Sequence, residues 1–589
     1  MIYKLFNEPT QGTMRQILYN RGIKTKEDQD KWINASFWTD LNSPYAFGKE
    51  KVKHALKLMT EAIFDNKEIY ILVDCDADGF TSAAIIMNYI FESYHHIPEV
   101  SSIKDRLHYI LHTDKQHGLE DCVNQFPDNC LVILPDSSTN DIEQMQVLLN
   151  KNCFVVCMDH HESDNYLEDS NNLVIINNQI SDYPNKDLSA AGVVWQICRA
   201  WDQVNQTEFA NHYIDLAALG NLSDMMSYKS IETKAIVDQG LQNIKNPFFY
   251  YMCEKNKFSI DKMGGINYMS IAFYVTPFIN AIVRSGTMEE KDLIFKSFLT
   301  MYAFDKIESG KRGHKGELVP RVEEAVRIAA NVKARQTKLQ DATMNLLEQR
   351  IQSDRLTENG IIICCCEPGE VEKNLAGLVA NKIQAKYQHP CLVLTKSKWK
   401  DDKEYYYRGS ARNYSMSEIE DLRQLCENTG DIEYAQGHSS AFGISIPESK
   451  LEDFIQKTNA IYSEAAQEPV YWVDFEWFNK DIDGQKILLI AQNKSTWGQG
   501  LPEPYVAIRD IPLTSVQLLS ANKNPTLKIH LSNGVDIMKF KSSQEEYEQF
   551  TKPNMCLTAV CRCAKNEWGG RTTAQLIIED FYINEKWVF

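Results

Sequence analysis

Carboxylates and imidazoles recur along this chain in a pattern suited to cation chemistry. Asp74, Asp76 and Asp78 lie within Asp74-Cys75-Asp76-Ala77-Asp78-Gly79, followed by Asp136, then Asp159-His160-His161, then Asp224. Like charges crowded into one crevice are prohibitive unless cations neutralise them. Oxygen ligands joined by imidazole suit manganese or magnesium, with zinc also compatible. The set therefore predicts a metal-dependent site for phosphate chemistry. Taken singly, each member has a plain structural explanation: Asp78-Gly79 as a turn, Asp136 beside Pro135 as a helix cap, Asp224 as another cap. Caps, however, require no three-carboxylate repeat and no paired histidines.

The elements that must position these groups are legible too. Apolar runs at 69–73, 131–134 and 154–158 immediately precede the first three clusters and read as buried strands. Carboxylates just past the ends of adjacent parallel strands converge on one crevice, where open α/β sheets bind ligands. A helix following Gly79, over residues 82–90, would turn its N-terminus toward that crevice and favour an anion there.

At 589 residues the chain is long enough for several domains. Its 43% hydrophobic and 11% aromatic content is that of a globular protein. No apolar stretch approaches the ~20 residues that span a bilayer. The N-terminus lacks the basic start and apolar core of a signal peptide, so a soluble, cytoplasmic, non-membrane protein is expected. The 15 cysteines show no disulfide or zinc-ribbon spacing. Cys364-Cys365-Cys366 lies in an apolar run, where a strand would alternate their faces, so buried reduced thiols are expected. The net charge of −18, from 62 basic and 80 acidic residues, does not exclude a nucleic-acid partner, because binding requires only a local basic lining.

The expected organisation is α/β: an N-terminal extension (1–50), a parallel-sheet domain (51–310), a long connecting helix (311–355), a second, smaller α/β region (356–468) and a C-terminal β-barrel (469–589). The helix is read from an Ala-, Arg-, Lys-, Gln- and Leu-rich pattern between Val319 and Gln352, with Pro320 in its first turn. Alternating segments at 526–531 and 556–560, separated by turn residues, suggest the barrel or a small sandwich.

The clusters resemble the motifs of the DHH phosphoesterases in order and spacing. Residues 73–79 match the first, Asp136 the second, Asp159-His160-His161 the eponymous third, and Ala218-Leu219-Gly220-Asn221-Leu222-Ser223-Asp224 the fourth. The stretch 177–192 and Pro277-Phe278-Ile279-Asn280-Ala281-Ile282-Val283-Arg284 resemble the RecJ branch. Arg408-Gly409-Ser410-Ala411-Arg412 and Gly437-His438-Ser439-Ser440-Ala441-Phe442-Gly443 look like substrate-binding motifs of the DHH-associated domain. Residues 497–504 and Asn566-Glu567-Trp568-Gly569-Gly570-Arg571 look like parts of the RecJ OB-fold. Some positions depart from that pattern. His112 and His117-Gly118-Leu119 stand where RecJ sequences carry an arginine and a Gly-Tyr-Gly turn. Gln436 replaces a glycine, and the Asn-Arg pair expected near Glu232-Thr233-Lys234 is absent. Such departures suit a divergent, phage-type member.

The resemblance implies two divalent ions, manganese ahead of magnesium, roughly 3.5–4 Å apart. Asp76, Asp78, Asp136, His160 and Asp224 would be ligands, with Asp136 or Asp224 bridging and Asp74 either a further ligand or an outer carboxylate. Asp159 would orient an imidazole, and His161 would contact the scissile phosphate. Asn280 and Arg284 would hold the strand from the catalytic side; Arg408, Ser410, Arg412 and His438 would hold it from the second lobe. A narrow groove between lobes would admit a single strand and exclude a duplex. Trp497, Tyr505 and Trp568 are candidate base-stacking residues of the barrel, with core or turn packing as the equal alternative. The implied activity is 5′-to-3′ exonucleolysis of single-stranded DNA in repair, recombination or replication, by a monomer of bacterial or phage-infected bacterial cytoplasm. A single-strand-binding protein or a helicase would be its associates. The alternatives are a DHH phosphodiesterase acting on short RNA or cyclic dinucleotides, an inorganic pyrophosphatase, and a non-enzymatic replication scaffold derived from the same fold. The terminal domain argues against the first two, and the intact acidic set against the last.

Overall fold

The computed structural model describes residues 1–35, 39–100, 102–113, 116–399, 403–414, 417, 419–462, 470–519 and 525–585. The expected boundary at 468–469 and the last residue, Phe589, lie outside the described residues. The chain forms two compact units: Arg21–Ala334 with Ser495–Pro502, and Met1–Asn20 with Arg335–Lys494 and Glu503–Phe589.

The first unit is built on a five-stranded parallel sheet: β1 (Ile69–Val73), β2 (Leu107–Leu111), β3 (Leu131–Pro135), β4 (Phe154–Asp159) and β5 (Leu173–Asn177), in the order β2-β1-β3-β4-β5. Near-continuous apolar runs in these strands follow from burial of both faces. On one face Leu72, Val132, Leu134, Val155 and Cys157 pack with Phe126 and with Met145 and Leu148 of α2 (Ile142–Asn150). Three further helices, α1 (Ala77–Tyr94), α3 (Ala190–Asn205) and α4 (Ile214–Ser223), pack on one another, and α1 and α3 also pack on the sheet. Each fully buried aliphatic side chain contributes roughly 1.5–3 kcal/mol to holding this scaffold. Helix α5 (Thr276–Ser285) packs against α1 and α4 and carries Asn280 and Arg284 one turn apart, hence on one face.

Beneath the start of α3 lies a buried carboxylate, Glu232, which accepts hydrogen bonds from Asn42, Tyr183, Asn185 and Gln196 at 2.7–3.0 Å. Asn178 in turn ties down the carbonyls of Asn185 and Leu188, at 3.1 Å each. A buried carboxyl group is tolerable only when hydrogen-bonded in this way, and the network fixes the chain entering α3.

Helix α6 (Arg321–Ser353), 33 residues long, carries the chain from the first unit to the second. Its start corrects one expectation: Pro320 ends a short strand, Leu318–Pro320, paired with Lys306–Glu308, and precedes the first helical turn.

The second unit contains a five-stranded mixed sheet of β6 (Ile362–Cys366), β7 (Cys391–Ser397), β8 (Tyr406–Arg412), β9 (Tyr434–His438) and β10 (Ala441–Pro447), in the order β9-β10-β8-β7-β6. One face packs against α7 (Ala376–Tyr387) and the end of α6. Cys364 and Cys366 join that face and Cys365 the opposite one, the alternation that keeps the three thiols from sharing a metal. None of the fifteen cysteines is joined in a disulfide.

The C-terminal part forms a seven-stranded mixed sheet of β11 (Phe475–Phe478), β12 (Tyr505–Pro512), β13 (Val516–Leu519), β14 (Thr526–His530), β15 (Asp536–Phe540), β16 (Met555–Trp568) and β17 (Arg571–Glu585), in the order β11-β12-β16-β17-β15-β14-β13. Residues 1–20, expected to form an extension, belong to this second unit: Ile2–Leu5 pairs in parallel with Val470–Val473. Of the three candidate stacking residues, Trp497 is buried and cannot serve, and Tyr505 is half-buried against Tyr471. Trp568, at the turn of the β16–β17 hairpin, is 83% exposed.

Candidate metal and phosphoester site

Strands β1, β3 and β4 are sheet neighbours, so the residues leaving their C-terminal ends meet. Asp136 follows β3 with φ 66°, and Ser138 has φ 78°. A left-handed conformation at a non-glycine residue carries strain and redirects the chain. Here it turns the chain away from the strand as soon as the Asp136 amide has bonded the Met158 carbonyl, at 3.0 Å. Asp136 therefore caps no helix: α2 begins only after Asp141. Asp224 lies past the C-terminus of α4, so it is not an N-cap either.

His160 is the centre of the cluster. Its Nε2 lies 3.3 Å from Asp136 Oδ1, 3.4 Å from Asp224 Oδ2 and 3.9 Å from Asp78 Oδ2. Asp78, in the first turn of α1, is buried against the N-terminus of α3. It accepts from Ser189 Oγ at 2.9 Å, Ala190 N at 2.8 Å and Ala191 N at 3.1 Å. Orphan amides and the helix dipole suit an anion there. Gly220 of α4 makes the approach possible, because a Cβ at that position would fall 2.3 Å from Asp78 Oδ1. Asp76 caps α1, accepting from Gly79 N at 2.9 Å. Asp74 is turned the other way: its Oδ1 accepts from Gly118 N at 3.1 Å, and its Oδ2 lies 2.7 Å from His117 Nδ1.

Asp159 holds the second histidine of the pair. Its Oδ1 lies 2.8 Å from His161 Nδ1 and accepts from His160 N at 2.7 Å. Its Oδ2 accepts from Thr139 Oγ1 at 2.6 Å and Thr139 N at 3.1 Å. Asn177, ending β5, donates to Thr139 Oγ1 at 3.0 Å.

Electrostatics divide the cluster into two groups. Burial and the charge of Asp76 push Asp78 up to about 7, against the helix-terminal hydrogen bonds that favour its carboxylate. Burial and the charges of Asp78 and Asp76 push Asp224 up to about 8, and burial with four neighbouring aspartates raises Asp136 well above the carboxylate range. Burial and the nearby His161 lower His160 to about 4, so it is neutral at pH 7. Burial also opposes charge on His161, but the hydrogen bond and charge of Asp159 overcome it and raise that ring to about 9. Asp159, despite burial, is held well below the usual range by His161.

A divalent cation fits the first group. Asp136 Oδ2 is buried with no hydrogen-bond partner among the described residues. Candidate ligand atoms of Asp78, His160 and Asp224, and of Asp136, His160 and His161, form two sets in which all members lie within 4.8 Å of one another. Neutral imidazole with clustered carboxyls is a donor set for manganese or magnesium.

The remaining predicted residues are placed as follows. Asn280 and Arg284 lie on α5 in the first unit with the cluster; Arg408, Ser410, Arg412 and His438 lie in the second. Ser410 and Arg412 meet the first turn of α7 at Gly377, where a Cβ would fall 2.6 Å from Arg412 Nη2 and 3.4 Å from Ser410 Oγ. Arg408 stacks over Trp399 and Tyr406, 3.8 and 4.4 Å from their ring centroids, with Glu433 3.6 Å away. His438 is exposed at the end of β9. Sequence inspection missed Thr139, which has no motif signal beyond its place after Asp136. His117 stood out only as a departure from a pattern.

A parallel sheet whose strand ends deliver aspartates and an Asp-His-His run is the arrangement of the DHH phosphoesterases, and the model of the DHH family, N-terminal domain, matches residues 68–221. The RecJ OB domain model matches residues 473–580. YorK, of the SPbeta prophage in Bacillus subtilis strain 168 and by name a single-strand DNA-specific exonuclease, is 30% identical over 99% of this chain and 98% of its own length. RecJ of the same bacterium, by name a single-stranded-DNA-specific exonuclease, is 24% identical over 97% of this chain and 68% of its own. The chain belongs to the RecJ-type branch of the DHH superfamily. Its fold is that of RecJ from Thermus thermophilus, whose structure in complex with Mn2+ aligns over 96% of this chain and 75% of that one, with a TM-score of 0.69 at 18% identity. A structure of the same protein with Mg2+ aligns with a TM-score of 0.59. Among the described residues, no helix is long and apolar enough to cross a membrane.

Proposed function

We propose that this chain is a metal-dependent exonuclease that hydrolyses phosphodiester bonds of single-stranded DNA from the 5′ end, in DNA repair, recombination or replication. One observation carries the chemistry: carboxyl oxygens of Asp136, Asp224 and Asp78 lie 3.3, 3.4 and 3.9 Å from His160 Nε2 in one crevice, a crowd of carboxyl groups stable as ions only around cations. Likeness to YorK along nearly the whole chain supports the substrate, and the family resemblance supports the direction.

In this mechanism Asp76, Asp78, Asp136, His160 and Asp224 would hold two divalent ions, manganese preferred. When bound, such ions supply Lewis-acid stabilisation of the charge that develops on the phosphoryl group. The protein's own groups position the diester. Asp159 fixes the angle of His161 and favours its charged form, whose Nε2–H is left to donate to a phosphate oxygen. Asn280 and Arg284 on α5 engage the strand on the catalytic side. Ser410, Arg412, Arg408 and His438 engage it in the DHH-associated domain, and the exposed Trp568 stacks on a base farther along. The domain assignment that goes with this is 51–310 for catalysis, 356–468 for strand binding and 469–589 for the OB-fold. A single-strand-binding protein or a helicase would deliver the strand.

The test is digestion of end-labelled single-stranded DNA in manganese, magnesium or EDTA. Early release of a 5′-labelled mononucleotide in manganese, delayed release of a 3′ label and no cleavage in EDTA are expected. Hydrolysis of cyclic dinucleotides or short RNA with none of long DNA would reject the proposal in favour of a small-substrate phosphodiesterase.

A further inference from the structure

Two carboxylate–imidazole pairs stand side by side at the ends of the sheet. Asp159 Oδ1 lies 2.8 Å from His161 Nδ1, and Asp74 Oδ2 lies 2.7 Å from His117 Nδ1. The correspondence extends to the backbone. Asp159 also accepts from the amide of His160, next to its histidine, and Asp74 from the amide of Gly118, next to its own. Both carboxylates are almost wholly buried, at 1% and 2% side-chain exposure, whereas the His161 and His117 rings are 46% and 49% exposed. The ring centroids are 4.8 Å apart, in an edge-to-face arrangement.

The topology makes this a flanking pair. Asp74 follows β1 and Asp159 ends β4, while β3, which delivers Asp136, lies between those strands. The turn bearing His117 is itself anchored. Gly118 takes φ 74°, and Leu119 N donates to Asp141 Oδ2 at 2.8 Å. Asp141 precedes α2 but makes no side-chain cap of its own helix; its carboxylate holds the His117 turn. In each dyad Nδ1 is occupied by the carboxylate, so Nε2, on the far side of the ring, is the atom left for a ligand.

We infer that His117 is a further substrate-contacting residue. Its Nε2 and that of His161 engage two oxygens of the same phosphodiester, and Asp74 serves as the anchor of His117 and is not a metal ligand. This rests on the phosphodiesterase reading above, and it adds a contact that sequence comparison presents only as a substitution. A single anchored imidazole fixes one phosphate oxygen. Two at this spacing fix the rotation of the diester about that contact, which is what orienting the scissile bond requires.

The test uses the full chain with His117→Asn, His117→Gln and His117→Ala, on single-stranded DNA and on bis(p-nitrophenyl) phosphate, a minimal diester, with manganese affinity measured by calorimetry. An asparagine amide reaches the Nδ1 position and keeps the bond to Asp74, but places nothing at Nε2; glutamine reaches the Nε2 position. The expected result is a fall in kcat/KM on the order of 100-fold for His117→Ala and His117→Asn, substantial recovery in His117→Gln, and unchanged manganese affinity in all three. Wild-type rates for His117→Asn on both substrates would show that the ring only buttresses Asp74 and would overturn the inference. So would a loss of manganese affinity that tracks the loss of rate. A wild-type chain active on the small diester but inert on DNA would instead remove the polymeric substrate, and the diester rates of the variants would still decide the role of His117.

Discussion

His160 Nε2 lies 3.3 Å from Asp136 Oδ1, across the ends of two neighbouring strands. Burial and the His161 charge lower the imidazole to about 4, while burial and the neighbouring aspartates raise the carboxyl. Both shifts oppose the salt bridge that an exposed histidine–aspartate pair would form. The two side chains instead bring lone-pair atoms together where a cation can recruit them.

Asp136→Asn removes one of those donors with a residue that also tolerates φ 66°. Cleavage of labelled DNA is expected to fall by on the order of 1,000-fold, with the far-UV spectrum unchanged. Thermal unfolding in EDTA should show equal or higher stability than the native chain, because a crowded carboxyl has gone. Manganese at about 100 times its Kd should add about 2.7 kcal/mol to the native chain and much less to the variant.

Stability and metal binding should respond to pH in opposite directions. Asp78, Asp136 and Asp224 have folded-state values raised above the unfolded value of about 4, so the folded state holds more protons between them. Their contribution to metal-free stability is complete below about pH 4; that of Asp78 and Asp224 is lost as pH rises through about 7 and about 8, and that of Asp136 changes in the same direction. Melting in EDTA across pH 5–9 should show that decline. Manganese affinity should rise over the same range, with protons released on binding, measurable by calorimetry in buffers of different ionisation enthalpy. Affinity that is flat with pH would contradict the assignment of these carboxyls as ligands.

Thr139→Val tests the support beneath Asp159. The substitution keeps the shape of the side chain and deletes the hydroxyl that donates to Asp159 Oδ2 and accepts from Asn177. A loss of about 1–3 kcal/mol in chemical denaturation is expected from unpaired buried polar groups. A roughly 10- to 100-fold fall in kcat should follow from a less well oriented His161, with little change in KM. An effect confined to KM would place Thr139 in strand binding.

Arg412→Ala should weaken capture of the strand while sparing the metals. Fluorescence anisotropy on labelled single-stranded DNA should show weaker binding, and the slope of log affinity against log salt should shrink by about one phosphate's worth, ~0.7. Manganese affinity should stay the same. An unchanged slope would mean that this guanidinium, beside the first turn of α7, reaches no phosphate.

Much of this molecule is legible from residue types in order. Apolar runs at 69–73, 131–134 and 154–158 announce strands because burial on both faces leaves no room for polar alternation, and aspartates just beyond them announce a crevice. The long helix before 353 follows from its helix-forming composition, and the α/β region after 360 from strand-like and helix-like runs in turn. Local patterns mislead where a long-range partner decides. Pro320 ends a strand because Lys306–Glu308 pairs with it, and residues 1–20 join the second unit because Val470–Val473 offers Ile2–Leu5 a sheet edge. Trp497 is buried, the core-packing one of the two readings its motif allowed.

By itself the sequence determined which chemistry is available: carboxylates and imidazoles in one order, at the ends of strands that must be parallel and buried. Tertiary structure alone decided how that chemistry is shared out. Asp78 faces the helix terminus at Ala190 and Ala191, Asp136 keeps an oxygen with no hydrogen-bond partner among the described residues, and Asp74 turns to His117. Strand order, backbone dihedrals and burial set those differences, because the direction and ionisation of a carboxylate depend on the groups packed around it in space, which its neighbours in sequence do not specify.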